Sequence, residues 1–147
     1  MKVDLKTGMM KNTADLVGRL LIGLFFFYEA FDTMVFFDET RNTLTNYGIT
    51  FAQDWLIVAS IIILLLGAIM VIIGYYASIG ALLLLIYWFT FTMIVYSFWN
   101  DPVDVKGLHL KAFMRNLALC GGLFIMVANG ARNWGVKRIL HVLRLPK

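Results

Sequence analysis

The sequence predicts an all-α membrane protein, a four-transmembrane-helix antiparallel bundle with both termini cytoplasmic. Of the 147 residues, 61% are hydrophobic and only 15% are charged, which is more apolar than a soluble domain of this size. Four apolar runs each approach the ~20 residues with which a helix crosses the hydrocarbon core of a bilayer. Basic residues gather at the two ends of the chain, a pattern typical of cytoplasmic segments.

The four apolar runs are expected to be helices, because lipid offers no partner to an unpaired backbone amide. We place them at about 15–37, 54–76, 78–99 and 111–131. The turn GYYASIG between the second and third runs is so short that these two helices must be antiparallel neighbours. Four glycines within the runs would let helix backbones approach closely, namely Gly67, Gly74, Gly121 and Gly122.

The remaining segments divide the chain into an N-terminal cytoplasmic segment (1–14), the bundle (15–131) and a basic tail (132–147). The tail mixes apolar and basic residues at roughly helical spacing, which suits an amphipathic helix on the inner membrane surface. The alternative is a frayed tail that only sets topology. The stretch DETRNTLTNYGITFAQ is expected to be a polar surface loop, with or without one helical turn. The stretch NDPVDVKGLHL, which contains Pro102 and Gly107, is expected to break the helix after Trp99.

The distribution of charge predicts the orientation of the chain in the membrane. The head carries Lys2, Lys6 and Lys11, and the tail carries five further Lys or Arg residues. Positive segments stay on the cytoplasmic side, so we expect a multi-pass protein of a bacterial-type cytoplasmic (inner) membrane, N-in and C-in. The net charge of +4 is then a topology signal, and no aromatic-basic pattern indicates a nucleic-acid partner.

Two carboxylates interrupt the first apolar run. Glu29 and Asp32 lie in FFFYEAFDTMVFF, where a charge is costly, and residues three apart share one helix face. Counting from the ends of the runs places both acids in the outer half of the bilayer. Arg115, near the outer end of the fourth run, is the expected counter-ion, because a guanidinium can bind a carboxylate through two parallel hydrogen bonds.

Most other strongly polar side chains within the runs also fall near outer ends. The sequence therefore predicts one polar cluster that could bind a ligand, made of Glu29, Asp32, Asp54, Tyr96, Arg115 and Asn116. A desolvated carboxyl group could carry a proton or hydrogen-bond a quinone, so a quinone is the candidate ligand. The alternative is structural: Asp32 only reaches the outer surface, and Glu29 only ties the first helix to the fourth.

Other chemistry has little support in the sequence. Cys120 is the only cysteine, which excludes a disulfide within the chain and a C-x-x-C redox motif. His109 and His141 are expected on opposite sides of the membrane, and no cluster with zinc-ligand spacing is present. We therefore expect no metal site.

The chain resembles the DoxX family of small four-helix membrane proteins from about Val17 to Gly130. The first run matches the family pattern R-x-x-x-G-x-x-F through Arg19, Gly23 and Phe26. The third run ends in VYSFWND, similar to the family's H-x-F-W ending. The fourth contains FMRNLALCGGLFIM, similar to F-x-K-N-x-x-x-x-G-G, through Phe113, Arg115, Asn116, Gly121 and Gly122.

Two positions depart from the family pattern. Tyr96 stands where many relatives have histidine, and the second run lacks the acid that is common ahead of its first glycine. The resemblance implies an accessory subunit of a membrane redox complex linked to quinone or to sulfur and thiol chemistry, with other membrane subunits as partners. A non-catalytic structural or assembly subunit is the alternative. A solute transporter is less well supported, because four spans lack the inverted repeats of such carriers.

Overall fold

The computed structural model describes residues 2–100 and 102–131, and within them the secondary structure is helical with no strand. The helices are α1 (Lys2–Val35), α2 (Phe37–Asn46), α3 (Gln53–Ile73), α4 (Ala77–Val95) and α5 (Val103–Asn129). A short 3-10 turn (Phe98–Asn100) precedes α5. The expected all-α class is confirmed. The tail at 132–147, for which we expected an amphipathic helix, lies outside the described residues.

Three of these helices are long and apolar enough to cross a membrane: α3, α4, and Asp104–Asn129 of α5. The segment Gly8–Val35 of α1 meets the same condition only together with α2, from which it is bent by 89°. The four expected spans therefore correspond to three unbroken helices and one bent pair. α1 also continues without a break through residue 14, where the sequence suggested the end of a separate segment.

The segment after the first span is a helix and not the loop expected from its polar sequence. Residues 37–46 form α2, with Asp38 and Glu39 in the first turn, where carboxylates interact favourably with the helix N-terminus. None of its residues is buried. The chain bends at Phe36, and the polar α2 lies across the end of the bundle.

The helix break expected between the third and fourth runs is present, but Gly107 takes no part in it. Pro102 does precede the helix, as its N-cap residue, but α5 begins at Val103 and runs through Gly107. Proline is well suited to a helix start. A side chain at Gly107 would meet no atom within 4 Å, so this glycine neither breaks the helix nor serves a close contact.

Consecutive long helices pack side by side, α1 on α3, α3 on α4 and α4 on α5. A close contact joins α3 to α4. A Cβ atom on Gly80 would lie 2.7 Å from Met70 Cβ and 3.0 Å from the Gly67 carbonyl oxygen. The packing role predicted for Gly67 is thus confirmed, whereas that of Gly121 is wrong, since a Cβ atom there would meet nothing within 4 Å.

The two ends of the bundle, the turn end and the pocket end, differ in structure. The turn end is where Gly74, with a positive φ of 74°, ends α3 and lets α4 begin at Ala77. The C-terminal end of α5 is at this end too, because a Cβ atom on Gly130 would lie 3.0 Å from Ser78 Oγ. The pocket end is the opposite end, where α1 turns into α2.

The Gly80 contact predicts that Gly80→Ala destabilises the bundle. The added methyl group must push α3 away from α4, and such overpacking costs about 1–3 kcal/mol. Thermal unfolding of the purified protein in detergent measures the effect. Gly121→Ala is the matched control, because its methyl group meets open space and alanine favours a helix. An equal loss of stability in both variants would contradict the close approach.

Candidate functional site

A cavity of about 700 Å³ lies near the pocket end, with walls from α1, α2, α3 and α4. The last two turns of α1, the first half of α3 and the second half of α4 form three of its sides. The remaining side is α2 with the residues that follow it, which is a consequence of the 89° bend. No described residue of α5 lines the cavity.

One side of the cavity is acidic. Glu29 and Asp32 lie one turn apart on α1 and are both half-buried, and Glu39 of α2 is exposed. No lysine, arginine or histidine is among the described residues that line the cavity. The negative charges of this wall therefore have no basic side chain opposite them within the cavity.

The other side is aromatic. Tyr87, Trp88 and Phe91 follow one another along α4. Trp88 is only 4% exposed, and its ring stacks on Phe91 at 5.1 Å and meets the edge of Phe26 at 5.3 Å between ring centroids. Its Nε1 is buried and has no hydrogen-bond partner among the described residues. Sequence reasoning missed these three residues, because nothing in an apolar run separates wall aromatics from those that face lipid.

Polar contacts hold α2 in place over the cavity. The Tyr47 hydroxyl, just after α2, donates a hydrogen bond of 2.9 Å to the carbonyl oxygen of Val95 on α4. The Arg41 Nε donates one of 2.9 Å to Asp54 Oδ1 at the start of α3. These contacts join α2 to both helices behind it and keep the bend closed.

The structure brings two of the six predicted cluster residues to the cavity wall, Glu29 and Asp32. Asp54 instead pairs with Arg41 on the exposed side of α2. Tyr96 lies beyond α4, where its ring meets the edge of the His109 ring at 6.0 Å between centroids. None of the remaining four residues lines the cavity.

The predicted ion pair of Arg115 with Glu29 or Asp32 is wrong. Among the described residues no salt bridge joins Arg115 to either acid, and Arg115 is exposed on α5. The reason is packing order: α5 packs on α4, whereas the acidic face of α1 looks toward α3 and α4. Asn116, the next residue, is 6% exposed and also lies outside the cavity wall. Arg115 and the two acids have similar expected depths in the membrane, but they are not in contact.

A buried ion pair near the turn end was not anticipated. Arg19 is 1% exposed, and its Nε lies 3.1 Å from Asp15 Oδ2, one turn earlier on α1. Gly23 and Phe26 continue the same buried stripe, since a Cβ atom on Gly23 would overlap Ile72 and Phe26 is fully buried. The R-x-x-x-G-x-x-F pattern therefore describes the face of α1 that packs into the bundle. The spacing of Asp15 and Arg19 in the sequence was the signal that could have predicted this ion pair.

These features define the class of the protein: it is a small helical membrane protein with an acidic and aromatic cavity at one end of its bundle. Within that class the chain belongs to the DoxX family: the family model described as DoxX matches residues 14–97. The matched part runs from α1 through α4, the helices that form the cavity. The similarity noted in the fourth apolar run lies beyond it.

The chain is also similar to the inner membrane protein YphA of Escherichia coli (strain K12). The two are 23% identical over 115 residues, which is 78% of this chain and 81% of YphA. No solved structure matches the chain.

The buried ion pair predicts that Asp15→Asn lowers stability substantially. Removing the charge of one partner weakens the electrostatic compensation of a buried guanidinium, and breaking such a pair costs up to about 3–5 kcal/mol. Thermal unfolding in detergent measures the loss. Asp38→Asn is the control, because it removes an acid from an exposed pair with Arg41, 3.6 Å apart, and such pairs contribute about 0–1 kcal/mol. Equal effects in the two variants would refute a structural role for the Asp15–Arg19 pair.

Proposed function

We propose that this DoxX family protein is an accessory subunit of a membrane redox assembly and that its cavity holds a quinone. We further propose that it resides in the cytoplasmic (inner) membrane with both termini cytoplasmic, as its basic ends suggest. The inner-membrane location named for YphA supports this placement. In that orientation the pocket end faces the extracytoplasmic side.

The observation that carries the proposal is the cavity itself. Its volume of about 700 Å³ is within the roughly 300–1,000 Å³ that is usual for small-molecule sites. Its aromatic side offers Phe91 and Tyr87, and a planar ring stacks favourably on such side chains in an offset or edge-to-face arrangement. Aliphatic residues of α3 also line the cavity, among them Ile57 and Ile63, so an isoprenoid-like tail would remain in apolar surroundings.

The polar groups of the cavity support the same assignment. Acidic residues inside a membrane protein are rare and usually mark a ligand or proton path. Glu29 and Asp32 stand on one face of α1 across from the aromatic side of α4. A quinone carries two carbonyl oxygens on an otherwise apolar ring, and a protonated carboxyl group of this acidic face would donate a hydrogen bond to one of them while the ring lies against the aromatic wall. The protein would then position the ring and leave electron transfer to a partner subunit.

Filling the cavity tests the proposal. Ala59 lines the cavity from α3, so Ala59→Trp should block the ligand without removing a core side chain. We expect quinone to be extracted from the wild-type protein after purification in mild detergent, and at least tenfold less from the variant. Extraction followed by chromatography measures the amount per polypeptide.

Ala118→Trp is the matched control. Ala118 is an exposed alanine of a membrane helix, like Ala59, but it does not line the cavity. Wild-type protein without quinone, or equal loss of quinone from both variants, would overturn the proposal. If a larger membrane partner then co-purified equally with all three proteins, the structural or assembly role would replace it.

A further inference from the structure

The inner end of the cavity, which we call the floor, is formed by the lining residues that lie farthest along their helices from the pocket end. These are Glu29 on α1, Leu64 on α3, and Tyr87 with Trp88 on α4. Leu64 is 1% exposed and Trp88 is 4% exposed, so the floor is well packed from below. A ligand that reaches this depth meets the carboxyl group of Glu29 and the indole of Trp88.

The indole nitrogen of Trp88 is an unpaired hydrogen-bond donor. Its Nε1 is buried and has no hydrogen-bond partner among the described residues, and a tryptophan side chain can donate a hydrogen bond but not accept one. A buried N–H group without an acceptor is unfavourable and rare in proteins. A water, an ion or a ligand is the usual source of the missing acceptor.

The aromatic neighbours of the indole offer it no such acceptor. Its ring meets the edges of Phe25 and Phe26 of α1, at 5.4 and 5.3 Å between centroids, and stacks on Phe91 of α4 at 5.1 Å. Phenyl rings carry no oxygen or nitrogen, and their faces accept hydrogen bonds only weakly. Because Trp88 also lines the cavity, the cavity is the space from which a stronger acceptor can approach it.

Glu29 lies at nearly the same depth as this donor. Phe25 and Phe26, whose rings meet the indole, precede Glu29 by four and three residues on α1. Residues at this spacing are neighbours on one helix face, so Glu29 is one turn nearer the pocket end than the indole contact. The polar part of a ligand at the floor would therefore be held from both α1 and α4.

We infer that Trp88 binds and orients the ligand, its Nε1–H donating a hydrogen bond to a carbonyl oxygen of the ring at the floor of the cavity. The inference rests on the proposed function for the identity of the ring. A quinone oxygen accepts a hydrogen bond, and pairing with it removes the cost of a buried, unpaired N–H group. A lipid acyl chain in the same cavity leaves that cost in place. Trp88 thereby selects a ring that bears an acceptor over the apolar chains of the surrounding bilayer.

Nuclear magnetic resonance of the indole N–H groups tests the contact. The chain has four tryptophans, and Trp88→Phe identifies the signal of Trp88 in protein labelled with nitrogen-15 tryptophan. On addition of a fully substituted short-chain benzoquinone we expect the Trp88 proton signal to move downfield, because the N–H gains an acceptor, and its exchange with deuterium to slow. An alkylbenzene of the same chain length has no oxygen and should not cause the downfield shift.

Binding measurements by equilibrium dialysis in detergent give the second arm of the test. β-(3-Benzothienyl)alanine at position 88 keeps the shape of tryptophan but has sulfur in place of the N–H. It should weaken quinone binding about tenfold and leave alkylbenzene binding unchanged. Trp99→Phe is the matched control, because Trp99 is exposed and does not line the cavity. An equal loss for both ligands at position 88 would show a packing role alone and overturn the inference.

The outcomes separate this inference from the function on which it rests. Quinone binding with an unmoved Trp88 signal and unchanged affinity in the position-88 variant would overturn the role of Trp88 and leave the quinone proposal standing. Absence of quinone binding to the wild-type protein would overturn the quinone proposal, and the role of Trp88 toward a quinone with it. A long-chain ketone is a further probe: if it alone moves the Trp88 signal, the donor role is supported and the quinone is replaced by another carbonyl compound.

Discussion

The turn of the chain by 89° between α1 and α2 is the constraint on which the site depends. The apolar part of α1 ends just before the polar residues that begin at Asp38, and the chain bends at this boundary. By turning at Phe36 the chain places α2 across the bundle and converts a groove between α1, α3 and α4 into a cavity. The contacts of Tyr47 and Arg41 then hold the closing helix against its neighbours.

The lipid environment also explains the hydrogen bonds of the cavity wall. In an apolar medium an unsatisfied hydroxyl group is costly, and the nearest acceptor for a threonine on a helix is the carbonyl oxygen one turn earlier. Thr33 and Thr90 satisfy themselves in this way before any ligand is present. A local requirement of membrane helices thereby leaves the oxygens of these two hydroxyl groups as hydrogen-bond acceptors.

The two ends of the bundle differ, because the turn end is tightly packed and the pocket end holds the cavity. At the turn end, Gly67 and Gly80 bring α3 and α4 into close contact, and Arg19 of α1 is buried beside Asp15. Such contacts tolerate little displacement. At the pocket end a cavity lies between the helices, and an exposed polar helix, α2, forms one of its walls. A ligand site at that end costs the bundle little stability.

Local sequence was sufficient for features that one helix determines alone. Hydropathy placed α3 and α4 to within four residues at each end, but it began the first and fourth helices too late in the chain. The arginine, glycine and phenylalanine of the first run indicated the family and the packed face of α1. It also singled out Glu29 and Asp32, because a carboxylate in an apolar run is conspicuous whatever its surroundings. The polar stretch from Asp38 was harder to predict, since its composition suits both a loop and a short surface helix.

The partners of those residues were decided only in the tertiary structure. Counting along the helices estimates depth in the membrane, but contact also depends on the order in which helices pack and on the rotation of each about its axis. Arg115 has a suitable depth and faces away from the acids, while Tyr87 and Trp88, inconspicuous in an apolar run, form the opposite wall. The sequence by itself thus determined a membrane bundle with acids in its first helix, and the packing of α3, α4 and the bent α2 around that helix decided that the acids face a cavity.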